Sequence, residues 1–322
     1  MPPPLDHAIG VDIGGTKVLA VLLEGERVVA ETLAPTPTAG DEVLEVVTLA
    51  VGSLAPGGDR GVLGAIGVGA PGLVDATGTL RFAPNLLGGM GLGIQAGLEA
   101  RFPRVVVRAG NDATCAAWAE RTLGAARGRD DVVMVTLGTG IGGGIVAGGR
   151  LLVGANSFAG EIGHMVVDPH GPRCPCGKRG CWERFGSGSG LGRLGREAAQ
   201  AGQAHRVADL AGGDPEAVRG EHVTAAAAQG DEEAMAVMAQ FGWWLAVGLA
   251  NLANVFDPQC FVLGGGLVSA GDVLFDPVRT AFAELVEAVQ YRPPIEILPA
   301  ELGERAGAIG AALLAAGSRG PA

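Results

Sequence analysis

Lysine is nearly missing from this 322-residue chain: 21 of its 23 basic residues are arginine, and the two lysines are Lys17 and Lys178. Bases are outnumbered by 34 acidic residues, for a formal net charge of −11. A chain of that sign lacks the basic face that nucleic acid or an anionic membrane requires, so neither is expected as a partner. Charged residues of both signs reach only 18%, against roughly 25% in an average globular chain. Five cysteines do not make a disulfide framework here. No apolar run attains the roughly 18–20 residues that cross a bilayer. The longest, 241–256, is interrupted by Asn251 and Asn254 and reads as a buried core helix. The opening Met-Pro-Pro-Pro-Leu-Asp has no basic segment of the kind a targeting signal needs, so a soluble, cytoplasmic protein is expected.

Glycine and apolar residues are what the chain has in quantity. There are 56 glycines, and without a Gly-X-Y period they exclude collagen. A hydrophobic content of 48% and a mean hydropathy of +0.33 exclude a disordered chain. The length suits two domains or one large α/β unit.

One pattern occurs twice. Residues 8–23 hold apolar, β-branched stretches around Asp12-Ile-Gly-Gly-Thr-Lys17, followed by a Glu24-Gly25 turn and a third strand from Val28. Residues 132–147 repeat this layout around Leu137-Gly-Thr-Gly140, with a Gly148-Gly149 turn and a strand from Leu151. Asp12 aligns with Thr136 and Arg27 with Arg150, so a unit of strand, glycine turn, strand, turn, strand is duplicated. The repeat implies two similar domains, each offering a glycine turn to a shared cleft. Elsewhere, helices are expected at 41–54, 92–102, 113–123, 192–201, 223–256, 275–289 and 306–316. Strands are expected at 62–68, 105–107, 260–263 and 295–298, with an irregular stretch over 154–192. Alternating strands and helices indicate an α/β fold.

Two G-x-G-x-x-G matches, Gly67/Gly69/Gly72 and Gly138/Gly140/Gly143, fail as dinucleotide fingerprints, because turn or strand chemistry follows them instead of a helix. No Walker loop occurs. The duplicated turns are better read as phosphate cradles, in which backbone N–H groups of Gly14, Gly15, Gly138 and Gly140 join Thr16, Thr139 and Lys17. Asp12, at a strand end, is placed to hold a metal through water as phosphoryl transfer requires. The competing reading is a pair of tight hairpins whose glycines supply positive φ. Asn111-Asp112 precedes a helix, where an Asp is commonly an N-cap. With Glu161 and His164 the pair also supplies the donors and acceptors that a polyol needs. His164, Cys174, Cys176 and Cys181 have the composition of a closed tetrahedral zinc site, folded at Gly177 and Gly180 and offset in charge by Lys178 and Arg179. A metal-free thiol cluster is the alternative, and His170 is a rival ligand. Cys115 and Cys260 read as core thiols.

Taken together these residues resemble the ROK family of sugar kinases and repressors. The likeness runs from Ile9 to about Ala316 and rests on Asp12-Ile-Gly-Gly-Thr-Lys17, on 137–164 ending in Gly160-Glu-Ile-Gly-His164, and on Cys174-Pro-Cys-Gly-Lys-Arg-Gly-Cys181-Trp-Glu183. The resemblance implies a two-lobed actin-like (ribonuclease H-like) α/β fold, with duplicated βββαβα units around a central cleft. It puts a small lobe at 1–112, completed by the C-terminal helix from about 305, and a large lobe at 113–304 containing the zinc loop 164–183. It implies ATP-dependent phosphorylation of D-glucose at the 6-hydroxyl, with Mg2+ accompanying ATP and a structural Zn2+. Asp112 would be the general base, and Asn85, Asn111, Glu161, His164 and Glu183 would hold the sugar, so that His164 serves zinc and sugar at once. Gly264, Gly265 and Gly266 would lie against the adenosine. Another hexose is the alternative substrate, since Gly186 and Ser189 depart from the glucokinase-type pattern after Cys181-Trp-Glu183. The DNA-binding domain of the family's repressors is not expected, because the first phosphate strand begins at Ala8. A homodimer or homotetramer is implied by the resemblance alone.

Overall fold

The computed structural model describes residues 7–37, 39–55, 62–83, 86 and 89–317. Its chain groups into two compact units: 1–134 with 144–160 and 301–322, and 135–143 with 161–300. It builds two five-stranded sheets of matching order, with the α/β architecture of the actin-like fold.

In the first sheet the strands run β1 (His7–Ile13), β2 (Lys17–Glu24), β3 (Arg27–Pro35), then α1 (Gly40–Leu54) and β4 (Leu63–Ala70). A small hairpin, β5 (Leu73–Val74) and β6 (Leu80–Phe82), precedes α2 (Ile94–Arg101), β7 (Val106–Asn111) and α3 (Asp112–Thr122). The spatial order is β3-β2-β1-β4-β7. Burial follows position: β1 is enclosed along nearly its whole length, whereas edge strand β3 alternates strictly between exposed and half-buried residues. Both G-x-G-x-x-G stretches run from strand to strand, the first from β4 into β5, as expected of a chain without a dinucleotide fingerprint.

The second sheet is formed by β8 (Val132–Leu137), β9 (Ile141–Ala147), β10 (Arg150–Leu151), β11 (Cys260–Gly264) and β12 (Glu296–Pro299), in the order β10-β9-β8-β11-β12. The third strand of the repeat is therefore only two residues long and starts at Arg150, one residue ahead of the expected Leu151. Between β10 and β11 lie α4 (Glu183–Gly186), α5 (Gly188–Gln200), α6 (His205–Leu210), α7 (Gly220–Ala228) and α8 (Glu232–Phe256). After β11 come α9 (Asp272–Leu285), β12 and α10 (Ala306–Gly317).

Three expectations for this stretch need correction. A single helix over 223–256 is in fact α7 and α8, because Gly230 takes φ +83° and Asp231 caps α8 by accepting the N–H of Ala234 at 2.8 Å. The irregular stretch ends earlier than 192: Ser187 caps α5, accepting the N–H of Gly190 at 3.2 Å. Helix α6 has no apolar period to announce it, burying only Val207. The apolar run 241–256 is the later part of α8, which is long and apolar enough to cross a membrane but buries Phe241, Leu245, Leu249 and Leu252 within the second unit.

Helix α10 explains part of the glycine content. A Cβ on Gly10 of β1 would lie 1.8 Å from the carbonyl oxygen of Ala308, and one on Gly67 of β4 would lie 1.8 Å from that of Ala311. From the other side, a Cβ on Gly310 would meet the carbonyl oxygen of Cys115 in α3 at 1.7 Å. Helix and strands thus touch backbone to backbone, and α3 packs within the first unit. The buried carboxylate of Glu120 in α3 fixes the approach to α10, accepting N–H groups from Ala125, Glu301 and Leu302 at 2.9, 3.2 and 2.8 Å.

Candidate active site

Strand register assembles the first group of candidates. Asp12 pairs with Gly69, and Gly69 with Gly110, so the carboxyl ends of β1, β4 and β7 are level. Ligands of open α/β sheets bind beyond those ends. Asn111 and Asp112 follow at once. Asn111, not Asp112, is the N-cap of α3: its Oδ1 accepts the N–H of Thr114 at 2.9 Å, and its amide donates to the carbonyl of Gly72 at 3.1 Å. Asp112 stands in the first turn, with Oδ1 accepting the N–H of Ala113 at 2.8 Å. Gly69 leaves room between the carboxylates, since a Cβ there would lie 3.3 Å from the Asp112 Cα and 3.6 Å from the Asp12 Oδ1.

Asp12 is held in an unusual state. Burial pushes its carboxyl up to about 7, with the neighbouring Asp112 charge adding to the rise and Lys17 opposing it. Its Oδ1 is buried without a hydrogen-bond partner. The folded value lies above the unfolded one, so this group favours the fold at low pH, and that contribution is lost as pH rises through about 7. The ligand-free protein is therefore expected to lose Tm between about pH 5 and pH 8, by a few kcal/mol at most from this group. Asp12→Asn should flatten that decline in thermal melts.

The first glycine turn is a hairpin closed by the Gly14 N–H on the Lys17 carbonyl at 2.9 Å and braced by the Thr36 hydroxyl on the Gly14 carbonyl at 2.7 Å. Gly14, Gly15, Gly138 and Gly140 all have ordinary negative φ, so the positive-φ explanation for these glycines fails. A Cβ on Gly15 or Gly138 would enter open space. Neither a positive φ nor packing demands glycine at those two positions, whose backbone faces open space. Thr16 is exposed, and Lys17 is half-exposed, its ammonium paired with Glu304 just ahead of α10. That surface pair is weak enough to open for a phosphate.

In the second unit the other cradle is supported from two sides. The Gly188 N–H donates to the Gly138 carbonyl at 2.8 Å and the Ser189 hydroxyl to the Thr139 carbonyl at 2.6 Å. Gly265, at φ +85°, lies so near Leu137 that a Cβ would be 2.5 Å from its carbonyl oxygen. The structure thereby joins Gly138, Thr139 and Gly140 to the Gly264–Gly266 turn. Ser187 and Ser189 were not foreseen as supports. The Ser-Gly-Ser-Gly spelling after Glu183 was the available signal, an N-cap placed against the cradle.

His164, Cys174, Cys176 and Cys181 converge, with ligating atoms all within 4.8 Å of one another. His170 is not in the group; its N–H donates to Asp168. Cys176 Sγ lies 3.5 Å from Cys181 Sγ, and Cys174 Sγ lies 3.8 Å from His164 Nδ1. A tetrahedral zinc with bonds of about 2.0–2.3 Å sets its donors roughly 3.5–3.8 Å apart, which these contacts match. Backbone N–H groups of Cys176 and Lys178 hydrogen-bond the sulfurs of Cys174 and Cys176, as thiolates require. Lys178 and Arg179 are exposed, and Arg179 donates to the Gly171 carbonyl at 3.3 Å. A Cβ on Gly180 would lie 1.5 Å from the Asp168 carbonyl oxygen, so the loop closes only with glycine there. Trp182, fully buried, lies on Gly248 of α8 and donates to the Trp244 carbonyl at 2.9 Å, anchoring Cys181 and Glu183.

The two nitrogens of His164 face different groups. Nδ1 is on the thiol side, 3.9 Å from Glu183 Oε1, while Nε2 is 3.8 Å from Glu161 Oε2. Loss of solvent raises the Glu161 carboxyl above its ordinary range, with His164 opposing and Glu183 adding to the rise. Imidazole and two carboxylates thus share one face beside the thiols. Asn85 lies outside the described residues. Cys115 and Cys260 are buried core thiols, as expected.

The ROK family profile matches residues 8–318. The chain belongs to the ROK family. Among its ROK relatives, the glucokinase of Streptomyces coelicolor is 38% identical over 311 residues, 95% of this chain and 96% of that one. The N-acetylmannosamine kinase of Escherichia coli O157:H7 is 32% identical over 97% of this chain and 99% of its own. A crystal structure of a ROK family glucokinase from Streptomyces griseus, in complex with glucose and AMPPNP, superimposes with a TM-score of 0.83 at 38% identity, covering 96% of this chain and 98% of that one.

Proposed function

We infer that this protein transfers the γ-phosphoryl group of ATP to the 6-hydroxyl of D-glucose, giving glucose 6-phosphate and ADP. The observation that carries the inference is the carboxylate pair Asp12 and Asp112 at level strand ends, in a chain 38% identical to glucokinase along nearly its whole length. Asp112 takes the proton of the 6-hydroxyl, that oxygen bonds to the γ-phosphorus, and the bond to the β–γ bridging oxygen breaks to release ADP. Asn111, Glu161, His164 and Glu183 hold the remaining hydroxyls. The cradles at 14–17 and 138–140 supply N–H groups, hydroxyls and one ammonium to the phosphates, and Gly264–Gly266 takes the adenosine. Phosphoryl transfer gains most from such positioning and charge neutralisation. Mg2+ bound with ATP supplies part of that neutralisation, and the orphaned Asp12 oxygen fits a carboxylate holding it through water. Zinc on His164 and the three cysteines is structural, since protein fills all four positions. The same proposal includes the cytoplasmic location and the homodimer or homotetramer.

Another hexose, whether fructose, mannose or an N-acetylhexosamine, is the second reading, favoured by the 32% identity to N-acetylmannosamine kinase. ADP release measured over glucose, fructose, mannose and N-acetylmannosamine, with polyphosphate as an alternative donor, separates the two. Glucose with ATP is expected to exceed every other pair in kcat/KM by about tenfold or more. A higher value for another hexose overturns the sugar assignment, and no turnover with any pair overturns the kinase reading.

A further inference from the structure

A cavity of about 370 Å³ lies in the second unit between α9 and the edge strand β12, walled by Phe282, Val286 and Leu298. Two guanidinium groups line it, Arg279 and Arg292, against the single carboxylate of Glu296. Arg279 is engaged: it lies over the Phe275 ring, 5.0 Å from the centroid, and donates to the Ile297 carbonyl at 2.9 Å. Arg292 has an Nη1 that is buried with no hydrogen-bond partner. A cationic N–H removed from water without an acceptor is costly, and an incoming anion would remove that cost. The connection closing this side of the unit carries Ala288 at φ +56°, an uncommon state for a residue with a Cβ that is found at ligand clamps.

We propose that this cavity is a second small-molecule site, taking a monocarboxylate with a compact apolar body. The carboxylate sits on the Arg292 guanidinium, and the body lies against Phe282, Val286 and Leu298. Volume and wall chemistry suit a ligand of that size. A planar carboxylate matches the guanidinium fork. A sugar phosphate does not suit the site, because its hydroxyls would be left unpaired against an apolar wall. None of these residues belongs to the phosphoryl-transfer machinery proposed above.

Calorimetric titration of the full chain with 3-phenylpropionate tests the proposal, with 3-phenylpropan-1-ol lacking the charge and propionate lacking the body. Saturable binding of 3-phenylpropionate is expected, with each control about tenfold weaker or worse. Arg292→Gln should weaken the probe by a similar factor while ATP-dependent glucose turnover is unchanged. Ala283→Trp, which fills the cavity from the exposed side of α9, should abolish binding and serves if Arg292→Gln fails to fold. Absence of binding up to about 10 mM, equal binding of the alcohol, or an unaffected Arg292→Gln variant overturns the assignment.

Discussion

Replacing Asp112 with asparagine is expected to lower kcat for glucose phosphorylation by roughly 10²–10⁴ while glucose affinity stays within about twofold. The substitution is conservative in every respect except basicity. Asparagine keeps an oxygen to accept the Ala113 N–H that Asp112 Oδ1 now accepts at 2.8 Å, and the N-cap of α3 is Asn111, which is untouched. The helix start therefore survives, and what disappears is the acceptor for the hydroxyl proton. A second effect follows from the neighbouring charge. Asp112 is one cause of the raised Asp12 carboxyl, so Asp112→Asn should let Asp12 ionise at lower pH. Single-turnover kinetics together with glucose titration calorimetry separate the two effects. Turnover retained at the native rate would sink the base assignment.

Stripping metal from the cysteine loop should also impair the protein, less severely and by a different route. Metal analysis of the native protein is expected to find about one zinc per chain, as a filled four-ligand site requires. Cys181→Ser, or prolonged chelation, should remove it and raise the KM for glucose by about tenfold or more. In the proposed site the loop would link metal to sugar through His164, whose Nδ1 faces the thiol of Cys174 while Nε2 faces Glu161. Glu183 is coupled as tightly, because its Oε1 lies 3.0 Å from Cys174 Sγ. Without the cation, Lys178, Arg179 and two backbone N–H groups are left to offset three neighbouring thiolates, so the ring and the carboxylate are expected to lose their orientation together. Full activity in zinc-free protein would separate the loop from sugar binding.

The site was legible in the sequence where chemistry is local. The duplicated turns, Asn111-Asp112 and the cysteine spacing could all be read from neighbouring residues. The reason for the cradle glycines could not: negative φ at Gly15 and Gly138, with open space beyond, is visible only in three dimensions. The same holds for Glu304 on Lys17, which is 287 residues away in the chain and carries no local signature. Apolar period identifies helices where packing is one-sided, as for α1, and misses the break at Gly230, where a single glycine and an Asp cap outweigh a continuous alanine-rich pattern. The role of Ser189 has no local signature either, because it is a bond to a backbone carbonyl 50 residues distant.

Because α10 lies in intimate contact with β1 and β4, these early strands find one of their packing partners only in residues 306–317. During synthesis from the N-terminus, this glycine-lined face of the first sheet must wait until about 300 residues have been made. A ribosome-stalled chain ending before Ala306 should consequently be protease-sensitive in its first hundred residues, and should gain resistance only when the terminal segment is released.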